Sequence, residues 1–146
     1  MDPNFYRFRS TWRLAAEPSA VYRALESVDH YPRWWPEVRT IRQIDDITGE
    51  IVCRALLPYE LRFTVRQVRR DPEDGVLEAS MVGDLEGRSA WTVTGDGRSA
   101  VAVFEQEVVA NKSLLRRLAL VGRPVFKLNH ALMMRHGHRG LAAYLA

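Results

Sequence analysis

The sequence predicts an α+β domain: a curved, seven-stranded antiparallel sheet around a long C-terminal helix, with two short helices after the first strand. Three observations carry this. Residues Tyr6 to Leu14 alternate with period two; Val38 to Val109 holds six further strand-like runs cut by turn chemistry; Pro124 to Leu145 returns to a helical repeat. A single antiparallel sheet with its helices gathered on one face buries both apolar surfaces.

In the first strand Tyr6, Phe8, Ser10, Trp12 and Leu14 share one face, and Arg7, Arg9, Thr11 and Arg13 the other, so one side is buried and the other wet. Glu17-Pro18 then opens a helix, because the N–H that proline lacks would have had no partner there. Val21, Ala24, Leu25 and Val28 form its buried stripe. Asp29 is placed to cap a second short helix through Trp34, and Pro36 stops it, since the residue before a proline avoids helical backbone.

Turns at Thr48-Gly49, Asp71-Pro72-Glu73-Asp74-Gly75, Gly83-Asp84 and Gly95-Asp96-Gly97 divide the next region into strands near 38–45, 49–57, 60–70, 75–82, 87–95 and 99–109. Connections this short join sequential neighbours into a meander. Leu61, Phe63 and Val65 mark the core face of one strand against Arg62, Thr64 and Arg66, and Val68 breaks that register as a bulge would. Ser89, Trp91 and Val93 mark the core face of a later one. After Asn111 and Ser113 come Leu114, Leu115, Leu118 and Val121, then Gly122-Arg123-Pro124, where proline is expected to kink or restart the helix. Phe126, Asn129, Met133, Gly137, Leu141 and Tyr144 share a face of that helix. Gly137 and Gly140 each cost about 1 kcal/mol relative to alanine, and their simplest use is close approach of helix and sheet. A twisted sheet curls, and a helix on its concave side touches it only along a line. The remaining space is either filled by large side chains or left as a cavity.

At 146 residues, 47% apolar and 27% charged, the chain has the size and composition of one globular domain. No apolar run approaches the ~20 residues needed to span a bilayer. Met1-Asp2-Pro3-Asn4 shows no secretory signal, so a cytoplasmic protein is expected. Cys53 is the sole cysteine, which rules out an internal disulfide. The net charge of +3 is built from arginine, with only Lys112 and Lys127 as lysines. Those arginines are scattered among acids rather than clustered with aromatics, so no nucleic-acid partner is expected. A homodimer is compatible with the sequence.

Three segments carry a family likeness: Trp12-Arg13-Leu14-Ala15-Ala16-Glu17-Pro18-Ser19-Ala20-Val21-Tyr22, then Tyr31-Pro32-Arg33-Trp34-Trp35-Pro36-Glu37-Val38, and Asn129-His130 through Met134, Gly137, Gly140 and Leu141. They resemble the START-like (SRPBCC) superfamily, and within it the polyketide cyclase and dehydrase branch. The likeness implies a helix-grip fold, a single ligand-binding domain over residues 1–146, and a cavity between sheet and C-terminal helix. It also implies a hydrophobic ligand: members bind sterols, lipids, polyketides, plant hormones or quinones, and only some are catalysts. Branches working on an iron centre carry an extra iron–sulfur domain, which this chain lacks, so no cofactor is expected.

The candidates for lining such a cavity are Trp12, Trp35, Phe63, Met81, Trp91, Phe104 and Met133, whose alternative use is simply to fill the core. Asn129 places an amide on an apolar helix face, to orient a ligand carbonyl or to bond a strand backbone or a buried water. In the last strand either Glu105 with Glu107 or Phe104 with Gln106 faces inward, and Val101 with Val103 favours the first pair. A carboxylate in an apolar pocket has a raised pKa and can act as general acid or base, which makes Glu105 the catalytic candidate. The alternative, shared by Glu78, is a wet-face carboxylate paired with arginine. No metal is expected: His136 and His138 point to different sides of their helix, and no carboxylate or cysteine completes a ligand set. Cys53 reads as a small core residue. The expected function is binding of a lipid, polyketide or aromatic molecule. The alternatives are a cyclase or dehydratase using a pocket carboxylate, and an interaction module with a filled core.

Overall fold

The computed structural model describes residues 4–57, 60–111, 114, 116 and 122–146. In chain order the elements are β1 (Phe5–Leu14), α1 (Pro18–Glu26), a 3-10 helix (Val28–Arg33), β2 (Val38–Asp45), β3 (Thr48–Cys53) and β4 (Leu61–Asp71). They continue with β5 (Val76–Gly83), β6 (Leu85–Gly95), β7 (Ala100–Ala110) and the C-terminal helix α2 (Gly122–Tyr144). All strands belong to one antiparallel, curved sheet of order β1-β7-β6-β5-β4-β3-β2, so a meander from β2 to β7 is closed by β1. None of the described helices is long and apolar enough to cross a membrane.

Helix α2 lies along β1. Its Phe126 meets Tyr6 at a ring separation of 4.6 Å, His130 stacks on Phe8 at 3.7 Å and His138 stacks on Trp12 at 5.6 Å. A second contact holds it to the segment before β2, where the Trp35 indole N–H donates to the Met133 carbonyl at 2.8 Å. Buried Glu37 accepts from His136 in the same region. Gly137 and Gly140 serve this approach. A Cβ at 137 would lie 2.5 Å from the Trp35 ring, and one at 140 would lie 1.7 Å from the Trp34 carbonyl oxygen. At these two glycines the close approach is therefore to the Trp34-Trp35 segment, and to the sheet only at Trp12.

Several expectations are met in detail. Pro18 occupies the first turn of α1, and the ladder between β4 and β5 slips between Gln67 and Arg69, which leaves Val68 on a bulge. Pro124 falls at the start of α2 rather than in its interior. It sits in the first turn of α2, where its missing N–H costs nothing, behind Gly122 at φ +79°.

Others need correction. Asp29 caps nothing: the 3-10 helix begins at Val28, so Asp29 falls inside its first turn, 3.5 Å from the His30 ring. Strand β3 ends at Cys53 rather than residue 57, because the chain turns inward there to bury Leu57. Tyr144 is 43% exposed, since the last turn of α2 runs past the core, and Met134 supplies the buried methionine of the helix. Leu114 is buried; Ser113, Leu115, Leu118 and Val121 lie outside the described residues.

Candidate ligand-binding cavity

Between the concave face of the sheet and α2 lies a cavity of about 270 Å³, open to solvent. Its exposed lining residues, Asp29, Gln43, Asp45, Asp46 and Ile47, mark the rim, where the β2–β3 hairpin faces the start of the 3-10 helix. Its inner wall is apolar and aromatic. Trp35, Phe63, Met81, Trp91, Phe104, Asn129 and Met133 all line it.

Trp12 does not. It is 2% exposed and sits behind the wall, packed edge-on against Trp35 at 5.5 Å and tilted against Trp91 at 4.8 Å. It fills the core and braces two residues that do face the cavity. Asn129 is committed as well: its side-chain oxygen accepts the Leu57 backbone N–H at 2.9 Å, which anchors the loop after β3 to the helix. Cys53 is part of the lining, and burial pushes its thiol up to about 12, so it is a protonated, apolar wall group.

Of the two faces of β7 that alternation left open, the one bearing Phe104 and Gln106 turns inward, not the one that Val101 and Val103 favoured. Ala100, Ala102, Phe104, Gln106, Val108 and Ala110 point inward, and Glu105 is exposed on the outer face. Small Ala100 and Ala102 fit beneath the tryptophan cluster, while Val101 and Val103 stay half-buried outside. Glu107 lies between Arg7 at 3.9 Å and Arg88 at 3.8 Å, the wet-face arrangement given above as the alternative. Glu78 reaches the lining, but its carboxylate lies 3.8 Å from Arg69. No described carboxylate is therefore buried at the cavity's inner wall.

What sequence reasoning missed is a polar pair on that wall. Gln106 on β7 and His130 on α2 both line the cavity, and the His130 Nε2–H donates to the Gln106 side-chain oxygen Oε1 at 3.1 Å. The Gln106 amide N–H in turn donates to the Met81 sulfur at 3.1 Å. The signals were present: His130 stands four residues from both Phe126 and Met134, and Gln106 shares the face of Phe104 and Val108.

Burial holds the His130 pKa down to about 4, so its ring is neutral at pH 7. The unfolded chain takes up this proton near pH 6.5 while the folded one does not. Stability contributed by the neutral ring is thus present above that pH and falls as the pH drops towards 4, by about 1.4 kcal/mol per unit. Between pH 6 and 4.5 the loss should be about 2 kcal/mol. Urea midpoints at the two pH values measure it. His130→Phe, which keeps the stacking on Phe8 and cannot titrate, should be visibly less acid-sensitive; equal sensitivity would dismiss the assignment.

A curved antiparallel sheet gripping a long helix, with an apolar cavity left open between them, defines a START-like, helix-grip protein. Residues 6–146 match the family described as polyketide cyclase / dehydrase and lipid transport, and the chain belongs to that family. Comparison with the curated proteins gives no match. Among solved structures, the Zhui aromatase/cyclase from Streptomyces sp. R1128 superposes with a TM-score of 0.80 at 11% identity, over 97% of this chain and 93% of its own. A START superfamily protein from Mycobacterium smegmatis gives 0.73 at 13% identity, over 95% and 96%. The di-domain ARO/CYC BexL from the BE-7585A biosynthetic pathway gives 0.71 at 13% identity; the match covers 99% of this chain and 51% of that one. At these identities the likeness establishes the fold.

Proposed function

We propose that residues 1–146 act as one ligand-binding domain that takes up a hydrophobic small molecule of lipid, polyketide or aromatic type. The observation that carries this is the open cavity itself. Protein interiors pack as densely as organic crystals, and voids larger than a water are few. A space of about 270 Å³ walled by tryptophan, phenylalanine and methionine is what an apolar ligand needs, and an interaction module with a filled core does not need it. A cyclase or dehydratase of the same ligand class is the second reading. It is favoured by family membership and by the neutral His130 imidazole on the cavity wall, a group able to exchange protons with a bound molecule. Glu105, on the outer face, has no part in either.

Native mass spectrometry of gently purified protein should reveal an excess mass that leaves on denaturation. Independently, the neutral fluorophore N-phenyl-1-naphthylamine should bind saturably, one per chain. Ala79 faces the cavity between Leu77 and Met81, so Ala79→Phe should fill it and weaken the probe at least roughly tenfold, the value of about 1.4 kcal/mol. The thermal midpoint should not fall, because the added ring enters empty space. Neither bound mass nor probe binding in the wild type would remove the reading.

A further inference from the structure

We propose, resting on the ligand-binding reading above, that the cavity selects uncharged molecules bearing a carbonyl oxygen, which accepts a hydrogen bond from the Gln106 amide, and that it rejects carboxylates. Gln106 is only 7% exposed, yet among the described residues its NH2 group donates to nothing better than the Met81 thioether, a weak acceptor. A buried donor so poorly served gains from any ligand oxygen that reaches it. The amide's orientation is set from the other side. The His130 Nε2–H occupies the Gln106 side-chain oxygen, and the imidazole is itself held flat against Phe8. Turning the amide over would set carbonyl oxygen against sulfur, two acceptors, and would require the imidazole proton to move to Nδ1. His130 is therefore a positioning residue, and the NH2 end stays beside Met81, another lining residue.

The charge of the lining points the same way. Among the described lining residues, every charged one is acidic: Asp29, Asp45 and Asp46 at the rim, and Glu26 and Glu78, which are paired with Arg70 and Arg69. No lysine or arginine stands ready for an anion there, and His130 is neutral at pH 7. A carboxylate entering this cavity would give up its hydration with no opposite charge to replace it and would pass an acidic rim.

Three probes of matched shape test this by calorimetry: 2-acetylnaphthalene, 2-isopropenylnaphthalene and 2-naphthoate. In the wild type the naphthoate should bind at least about tenfold more weakly than the ketone. Gln106→Leu should weaken the ketone about threefold to tenfold, the worth of one hydrogen bond, and leave the alkene unchanged. The infrared C=O stretch of the bound ketone should move to lower wavenumber in the wild type, an effect that requires no variant to fold. The shift should disappear in Gln106→Leu and shrink in His130→Phe. An unshifted stretch, or naphthoate bound as tightly as the ketone, would overturn the proposal while the alkene's binding upheld the cavity reading. Failure of all three probes to bind would remove both.

Discussion

Gly140→Ala is expected to destabilise the protein by about 2–4 kcal/mol, at a position where the same change in an ordinary helix is worth about 1 kcal/mol in the opposite direction. The added Cβ would lie 1.7 Å from the Trp34 carbonyl oxygen, and the next nearest atoms are also backbone. No side-chain rotation relieves such a clash. Helix α2 has to lift off the Trp34-Trp35 segment, and that strains the bond from the Trp35 indole to the Met133 carbonyl. Gly97→Ala is the control. Nothing lies within 4 Å of the new methyl there, so the effect should stay within about 0.5 kcal/mol. Urea denaturation of the two variants decides the matter. A Gly140→Ala protein as stable as the wild type would mean that helix and segment are further apart than described.

Trp12→Ala should cost about 3–5 kcal/mol, the range for removing a fully buried aromatic. Trp12 packs on Trp34, Trp35, Trp91 and His138 at once, so its loss opens a hole where strand, segment and helix meet. Because it stands behind the cavity wall, its removal should act on folding more than on binding. Among the molecules still folded at low temperature, affinity for N-phenyl-1-naphthylamine should stay within a few-fold of the wild type. The reverse pattern, intact stability with abolished binding, would return Trp12 to the lining.

The same tryptophan shows where reading the sequence stops. Alternation along β1 correctly put Trp12 on the inner face with Tyr6 and Phe8. It carries no information about depth, and depth separates a core residue from a cavity residue. The strands, their order, the proline-opened helix and the Val68 bulge were legible because each follows from local chemistry. The register of β7 was not, because both faces of Ala100–Phe104 are apolar and either could have been buried. It is decided by volume: alanines, not valines, fit beneath four tryptophans. The Gln106–His130 pair was hidden for another reason. Its members are 24 residues apart, on a strand and a helix, and only the packing of α2 along β1 brings them together.

That packing bears on the order in which the chain assembles. Strands β2 to β7 pair with sequence neighbours, and each hairpin closes a short loop. β1 must instead find β7 across the whole meander, with Leu14 opposite Ala100 and Phe5 opposite Val109. Loop-closure entropy makes this contact roughly 2.5 kcal/mol harder to form than a hairpin of about five residues. Until it forms, β7 presents an open edge on which another chain can add a strand. Helix α2 ends that exposure, since Phe126, His130 and His138 pin Tyr6, Phe8 and Trp12 in place. The helix that roofs the cavity is thus also the clasp of the sheet. A molecule held beneath it favours, by mass action, the chains in which that last closure is complete.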